Sequence, residues 1–110
     1  MAPLPPHIEH ILERFEPLGP VVAKRMFGGF GFFADDCTFA LFSGEQLYLK
    51  ADDRNRPRFE AEGLEPFRSR RRKGGRMPYY PPPESALDDD DELLDWARSA
   101  VDAAFAARKI

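Results

Sequence analysis

A chain of 110 residues, 43% hydrophobic and 32% charged, has the size and composition of one globular domain with one core. Its net charge of −3 and pI near 5.4 argue against a wholesale nucleic-acid binder, whose domain is normally basic. The single cysteine, Cys37, excludes an internal disulfide and a cysteine-rich metal site, no apolar run nears the roughly 20 residues needed to span a bilayer, and the opening MAPLPPHIEHILERF lacks the charged-then-apolar layout of a secretory signal, so a cytoplasmic location is expected.

Behind a proline-rich lead, Ile8, Ile11, Leu12 and Phe15 recur at helical spacing, with Glu9, Glu13, Arg14 and Glu16 on the opposite face. Pro17, Gly19 and Pro20 end this first helix. From Val21 to Lys50, short runs of Val, Phe, Leu and Tyr alternate with Gly-Gly, Asp-Asp and Ser-Gly-Glu, which predicts strands near 21–27, 30–34, 38–43 and 46–50. Residues 53–62 suit a short polar helix, with Asp52 or Asp53 as N-cap, Pro57 in the first turn and Gly63 as C-terminal stop. EPFRSRRRK and RMPYY then read as two extended runs joined by a Gly74-Gly75 hairpin turn. Pro81, Pro82 and Pro83 bar further pairing and lead to a last helix, opened by DDDDE and carried by Leu93, Leu94, Trp96, Ala97, Ala100, Val101, Ala104 and Phe105. The order α-ββββ-α-ββ-α makes an α+β fold, an antiparallel sheet with flanking helices, with residues 1–110 as a single domain.

The stretch RMFGGFGFFADD invites two functional readings, an aromatic RNA-stacking motif and a phosphate-binding glycine loop. Context argues against both. Gly28 stands where the RNA motif wants a basic residue and Asp35 where it wants an aromatic, and a phosphate loop should open a helix, whereas FFADDCTFALF is strand-like. The expectation is structural: a Gly28-Gly29 hairpin turn, close packing or a bulge at Gly31, and a core built by Phe27, Phe30, Phe32, Phe33, Phe39 and Phe42.

Catalytic and metal-binding constellations are scarce. His7, His10 and Glu13 share a helix face, but solvated histidines near a terminus are the commoner case. Ser43, Ser69, Ser85 and Ser99 carry no nucleophile-elbow signature, and the aspartates before Cys37 discourage a thiolate. Asp88–Asp91 lacks the spacing and glycine of a calcium loop and fits a helix N-terminus instead. Neither a catalytic residue, a metal nor a cofactor is expected.

Two features go beyond a structural account. RSRRRKGGR places six basic groups in nine positions: Arg68, Arg70, Arg71, Arg72, Lys73 and Arg76. In a strand these charges point both ways, so the segment projects; the expected form is a solvated hairpin paired with the acidic run at 88–92, with a basic ribbon able to grip phosphates as the alternative. In Tyr79-Tyr80 one ring must face outward in a strand; packing against the last helix is the expected fate of the pair, with Tyr80 joining the ribbon as a candidate anchor for a macromolecular partner.

Taken together, RMFGGFG (25–31), TFALFSGEQLYLKAD (38–52), RFEAEGLEPF (58–67), RMPYYPPPE (76–84) and ELLDWARSAVDAA (92–104) resemble, in order and spacing, the N-terminal domain of the TfoX/Sxy family of competence regulators. The resemblance implies a non-enzymatic regulatory domain acting in transcriptional control of bacterial DNA-uptake genes, where full-length members work with a cyclic-AMP-responsive activator. It brings no catalytic residues. It also implies a helical C-terminal domain in full-length members, which is expected to be absent here because the sequence ends at Ile110. Pro78, Pro81–Pro83 and the dense arginine cluster depart from the family pattern. The expected partner is a protein, with a weak nucleic-acid contact through Arg68–Arg76 as the alternative, no membrane, and a homodimer left open.

Overall fold

The computed structural model describes residues 4–26, 29–67 and 78–108. Its elements run α1 (Pro6–Arg14), a 3-10 turn (Glu16–Leu18), β1 (Val21–Met26), β2 (Gly29–Ala34), β3 (Cys37–Ser43), β4 (Gln46–Lys50), α2 (Arg56–Ala61), β5 (Tyr79–Tyr80), α3 (Glu84–Asp88) and α4 (Asp90–Arg108). The five strands form an antiparallel meander in the order β1-β2-β3-β4-β5, so the α+β class is as read from the sequence. The four long strands match their expected positions to within a residue at each end.

Tight turns set the meander. Asp35 and Asp36, between the paired residues Ala34 and Cys37, both take positive φ (48° and 65°). Gly44 and Glu45 do the same (57° and 66°) between Ser43 and Gln46. Positive φ at both central positions matches the twist of the flanking strands. The first hairpin departs from expectation. Met26 pairs with Gly29, so Gly29 already belongs to β2; positions 27 and 28, and with them the core expectation for Phe27, lie outside the described residues. Gly29 is needed for proximity rather than for φ: a Cβ there would stand 2.1 Å from the Phe42 carbonyl oxygen.

One face of the sheet carries the core. The register aligns Phe30 and Phe32 with Phe42 and Ala40, these with Leu47 and Leu49, and Leu49 with Tyr80. Phe32 pairs with Ala40 but Phe33 pairs with Thr38, so Phe39 is an extra residue in β3 and this bulge lets Phe39 and Ala40 both reach the core. Onto this face α1 brings Ile8, with Phe15 just after it, and α4 brings Leu93, Trp96, Ala97, Ala100 and Ala104 at helical spacing. Phe15 meets Phe32 and Phe39 edge-on at 5.6 and 5.2 Å, a favoured aromatic arrangement. Cys37 is buried at the start of β3.

Two further expectations are revised. The short helix begins at Arg56, not near 53, because the Asp52 carboxylate accepts the N–H groups of Arg54 (2.9 Å) and Asn55 (3.3 Å) and so holds 52–55 as a turn. Gly63, with φ of 75°, follows its last turn as expected. The last helix, α4, opens in the aspartate run as expected, and a short helix not read from the sequence, α3, precedes it and ends at the extended Asp89. Of the expected second hairpin, only Tyr79–Tyr80 is strand among the described residues; its Gly74-Gly75 turn lies outside them. The flanking prolines explain the shortness of β5, since proline donates nothing to a ladder.

Candidate partner-binding surface

Arg68, Arg70, Arg71, Arg72, Lys73 and Arg76 all lie outside the described residues. Tyr80 is described, and it is buried with 4% of its surface exposed. Its ring stacks on Phe59 at 5.2 Å, and Phe59 in turn meets Trp96 of α4 at 4.9 Å. Tyr79 is buried as well, so the expectation that one ring of the pair faces outward is corrected. The reason is that near β5 the second face is packed as well, with Leu41 buried and Tyr48 against Phe67. On the second face Lys24, Gly31, Leu41 and Tyr48 form one cross-strand row. Tyr48 contacts Phe67 at 4.6 Å, Lys24 lies over Phe33, and Lys50 lies over Tyr79. Burial in this layer pushes the Tyr79 phenol up from its ordinary value.

The acidic run does the work of a cap. Asp89 Oδ1 accepts the N–H groups of Asp91 (2.9 Å) and Glu92 (3.2 Å) at the first turn of α4. Asp90 takes the Arg14 guanidinium at 2.7 Å, tying α4 to the end of α1, and Glu92 accepts the Ser85 hydroxyl at 2.6 Å. Asp90 and Glu92 of the acidic run thus have partners in α1 and α3.

The β4–β5 side of the sheet is closed by a polar knot. Asn55 is the one buried polar side chain among the described residues. It accepts the Asp52 N–H at 2.7 Å and donates to the Lys50 carbonyl at 3.0 Å and the Ser99 hydroxyl at 3.3 Å. Arg54 spans Asp52 (2.8 Å) and the Asp102 carbonyl (3.0 Å). Burial pushes the Asp52 carboxyl up, but its hydrogen bonds from Arg54 and Asn55 outweigh this and hold it below the usual range. Arg58 lies 3.9 Å over the Trp96 ring while paired with Asp95. Beyond β4, Ala51 donates to Pro78 O at 2.8 Å, and Phe67 donates to Tyr79 O at 2.7 Å.

The opposite edge is different. Among the described residues no strand pairs with the outer side of β1. An antiparallel edge strand directs alternate N–H and C=O groups away from its sheet. Val22 is 53% exposed there, the most exposed large hydrophobic residue among those described. Lys24 and Arg25 are exposed further along the strand, and a groove of about 370 Å³ lined by Leu12, Glu16, Gly19, Pro20 and Val21 adjoins its first residue. The sequence shows VVAKRM as a strand but carries no signal that it is an edge; only the sheet order reveals it.

Among the described residues no three His, Cys, Asp or Glu side chains gather as a metal site, and no helix is long and apolar enough to cross a membrane. The comparison with known proteins agrees with the fold-level reading. A family model described as the TfoX N-terminal domain matches residues 13–104. The DNA transformation protein TfoX1 of Aliivibrio fischeri is 35% identical over 65 residues, covering 56% of this chain and 31% of that protein. This chain thus matches about a third of that relative's length. With the family model covering most of its sequence, the chain belongs to the TfoX N-terminal domain family.

Proposed function

We propose that this domain is a non-enzymatic interaction module, acting in the cytoplasm, that binds a protein partner in transcriptional control related to DNA uptake. The observation that carries this reading is the β1 edge, where outward backbone groups and the half-exposed Val22 form a surface of the kind proteins use for strand addition. Family membership supports the competence-related setting, since the similar Aliivibrio protein is named for DNA transformation. The reading needs no catalytic side chain. The test is affinity capture from the native cell, with and without nuclease. A partner retained after nuclease treatment is expected; capture that disappears with nuclease would favour the second reading.

That second reading is a nucleic-acid contact through Arg68–Arg76. It is favoured by one observation: Asp90, one of the acidic residues at 88–92 expected to offset the basic segment, is paired with Arg14. Duplex-DNA affinity no better than roughly 10⁻⁵ M at physiological salt is expected under the protein-binding reading. Submicromolar affinity, abolished by replacing Arg70, Arg71 and Arg72 with Ser, would reverse the choice.

A further inference from the structure

We infer that the outer edge of β1 receives an extended segment of the partner as an added antiparallel strand, and that this segment carries two adjacent carboxylates followed, one residue later, by two apolar side chains. The inference rests on the protein-binding reading above and specifies the chemistry of the partner. Three observations converge on this edge. Its outward backbone groups are unpaired by any described strand, so a ladder can be extended without rearrangement. Its charges are arranged with a polarity: Lys24 and Arg25 stand at one end, and Glu16 lines the groove at the other. Its apolar groups are available, with Val22 exposed on the strand and Leu12 and Val21 lining the groove.

The register turns these observations into a pattern. Val21, Ala23 and Arg25 alternate onto the helix-covered side, in line with Phe32, whereas Val22 and Lys24 share the opposite side with Phe33 and Gly31. An antiparallel strand therefore meets Arg25 first and then Lys24, so acceptors at two consecutive positions place one carboxylate on each side of the sheet. The next residue lies opposite Ala23. The one after it packs beside Val22, and the last turns toward α1 into the groove between Leu12 and Val21. Glu16 at the groove discourages a second acidic residue there and so opposes the reversed register. A second copy of this chain is a poorer occupant, because pairing two β1 edges would gather the Lys24 and Arg25 cations of both copies on one short ladder.

The test uses the whole 110-residue chain, labelled with nitrogen-15, and an end-blocked peptide Thr-Glu-Asp-Thr-Val-Leu-Thr. Saturable amide shifts confined to residues 21–26 and the groove residues Leu12 and Glu16 are expected. Affinity should fall about tenfold in the K24E/R25E double variant and recover when the peptide's Glu-Asp is changed to Lys-Lys. Replacing the peptide's Leu by Ser should also weaken it several-fold. Both substituted side chains are exposed, and the amide spectrum itself reports whether the variant is folded. Absence of saturation at millimolar peptide, shifts centred on Phe33 and Tyr48 instead, or a concentration-dependent dimer with shifts at 21–26 would each overturn the inference. Capture with K24E/R25E separates the two levels of the claim. If the unaltered chain holds a nuclease-resistant partner and the variant holds it equally, the edge assignment fails while the protein-binding reading stands. If the unaltered chain holds none, the reading itself fails and the inference with it.

Discussion

The two outer strands of the sheet are held in opposite ways. On the β5 side, Tyr79 and Tyr80 form only a two-residue strand, yet both are buried. Phe59, Trp96 and the Asn55 hydrogen bonds bind that side to α2 and α4. On the other side, β1 is three times as long, six residues against two, yet each of its residues is half-buried or exposed and Val22 stands out in solvent. Strand length therefore does not measure how firmly an edge is fixed. What fixes an edge is how fully its side chains are covered, and among the described residues both side chains of β5 are buried whereas β1 leaves Val22, Lys24 and Arg25 exposed.

If this contrast is right, a substitution at the β5 side should cost far more than one on β1. Phe59→Ala removes a fully buried ring lying between Tyr80 and Trp96 and should cost about 3–5 kcal/mol in urea unfolding. A loss under about 1 kcal/mol would mean that this side is looser than its burial implies. Gly29→Val probes the first strand inward from the open edge. Its side chain collides with the Phe42 carbonyl, and overpacking of this kind costs on the order of 1–3 kcal/mol. A stable Gly29→Val protein would show that the freedom of β1 extends into β2.

Asn55→Ala should cost about 1–3 kcal/mol, because it strands the Lys50 carbonyl and the Asp52 N–H without their partner. The same knot predicts an acid sensitivity. Asp52 has a lowered folded-state value, so its contribution is complete above the unfolded carboxylate value of about 4 and is lost as pH falls through the lower folded value. Stability measured from pH 6 down to pH 2 should therefore fall less steeply in Asp52→Asn than in the unaltered chain; parallel curves would remove Asp52 from this role. The smallest effect belongs to the open edge. Val22→Thr should change stability by no more than about 0.5 kcal/mol, and a larger change would show that Val22 is packed in solution.

Much of this arrangement could be read directly from the chain. The four-strand meander was legible because turn residues and apolar runs alternate on the scale of single strands, a local signal independent of what packs above the sheet. The start of α4 was legible for the same reason: a run of aspartates beside an apolar helical stripe makes a cap whatever the rest of the fold does. The short helix was placed early because two aspartates offered themselves as caps, and only the competition for the Asp52 carboxylate shows which N–H groups it takes.

The tyrosine pair marks where local reading stops. Alternation correctly places Tyr79 and Tyr80 on opposite faces, but whether the second face meets water depends on Phe67, Tyr48 and Leu41, which come from separate parts of the chain. The first hairpin shows the same limit: Gly29 reads as a turn residue, and its need for a missing side chain comes from Phe42, thirteen positions later in a different strand. Candidate site residues chosen by charge density fell on Arg68–Arg76, whereas the exposed edge lies in VVAKRM, which looks ordinary in sequence. The sequence by itself determined the four-strand meander, the cap of α4 and the family, because each of these depends on residue order over short spans. Which strand is the edge, which tyrosines are covered and which glycine is crowded were decided only in three dimensions, because each depends on neighbours that the chain brings together by folding.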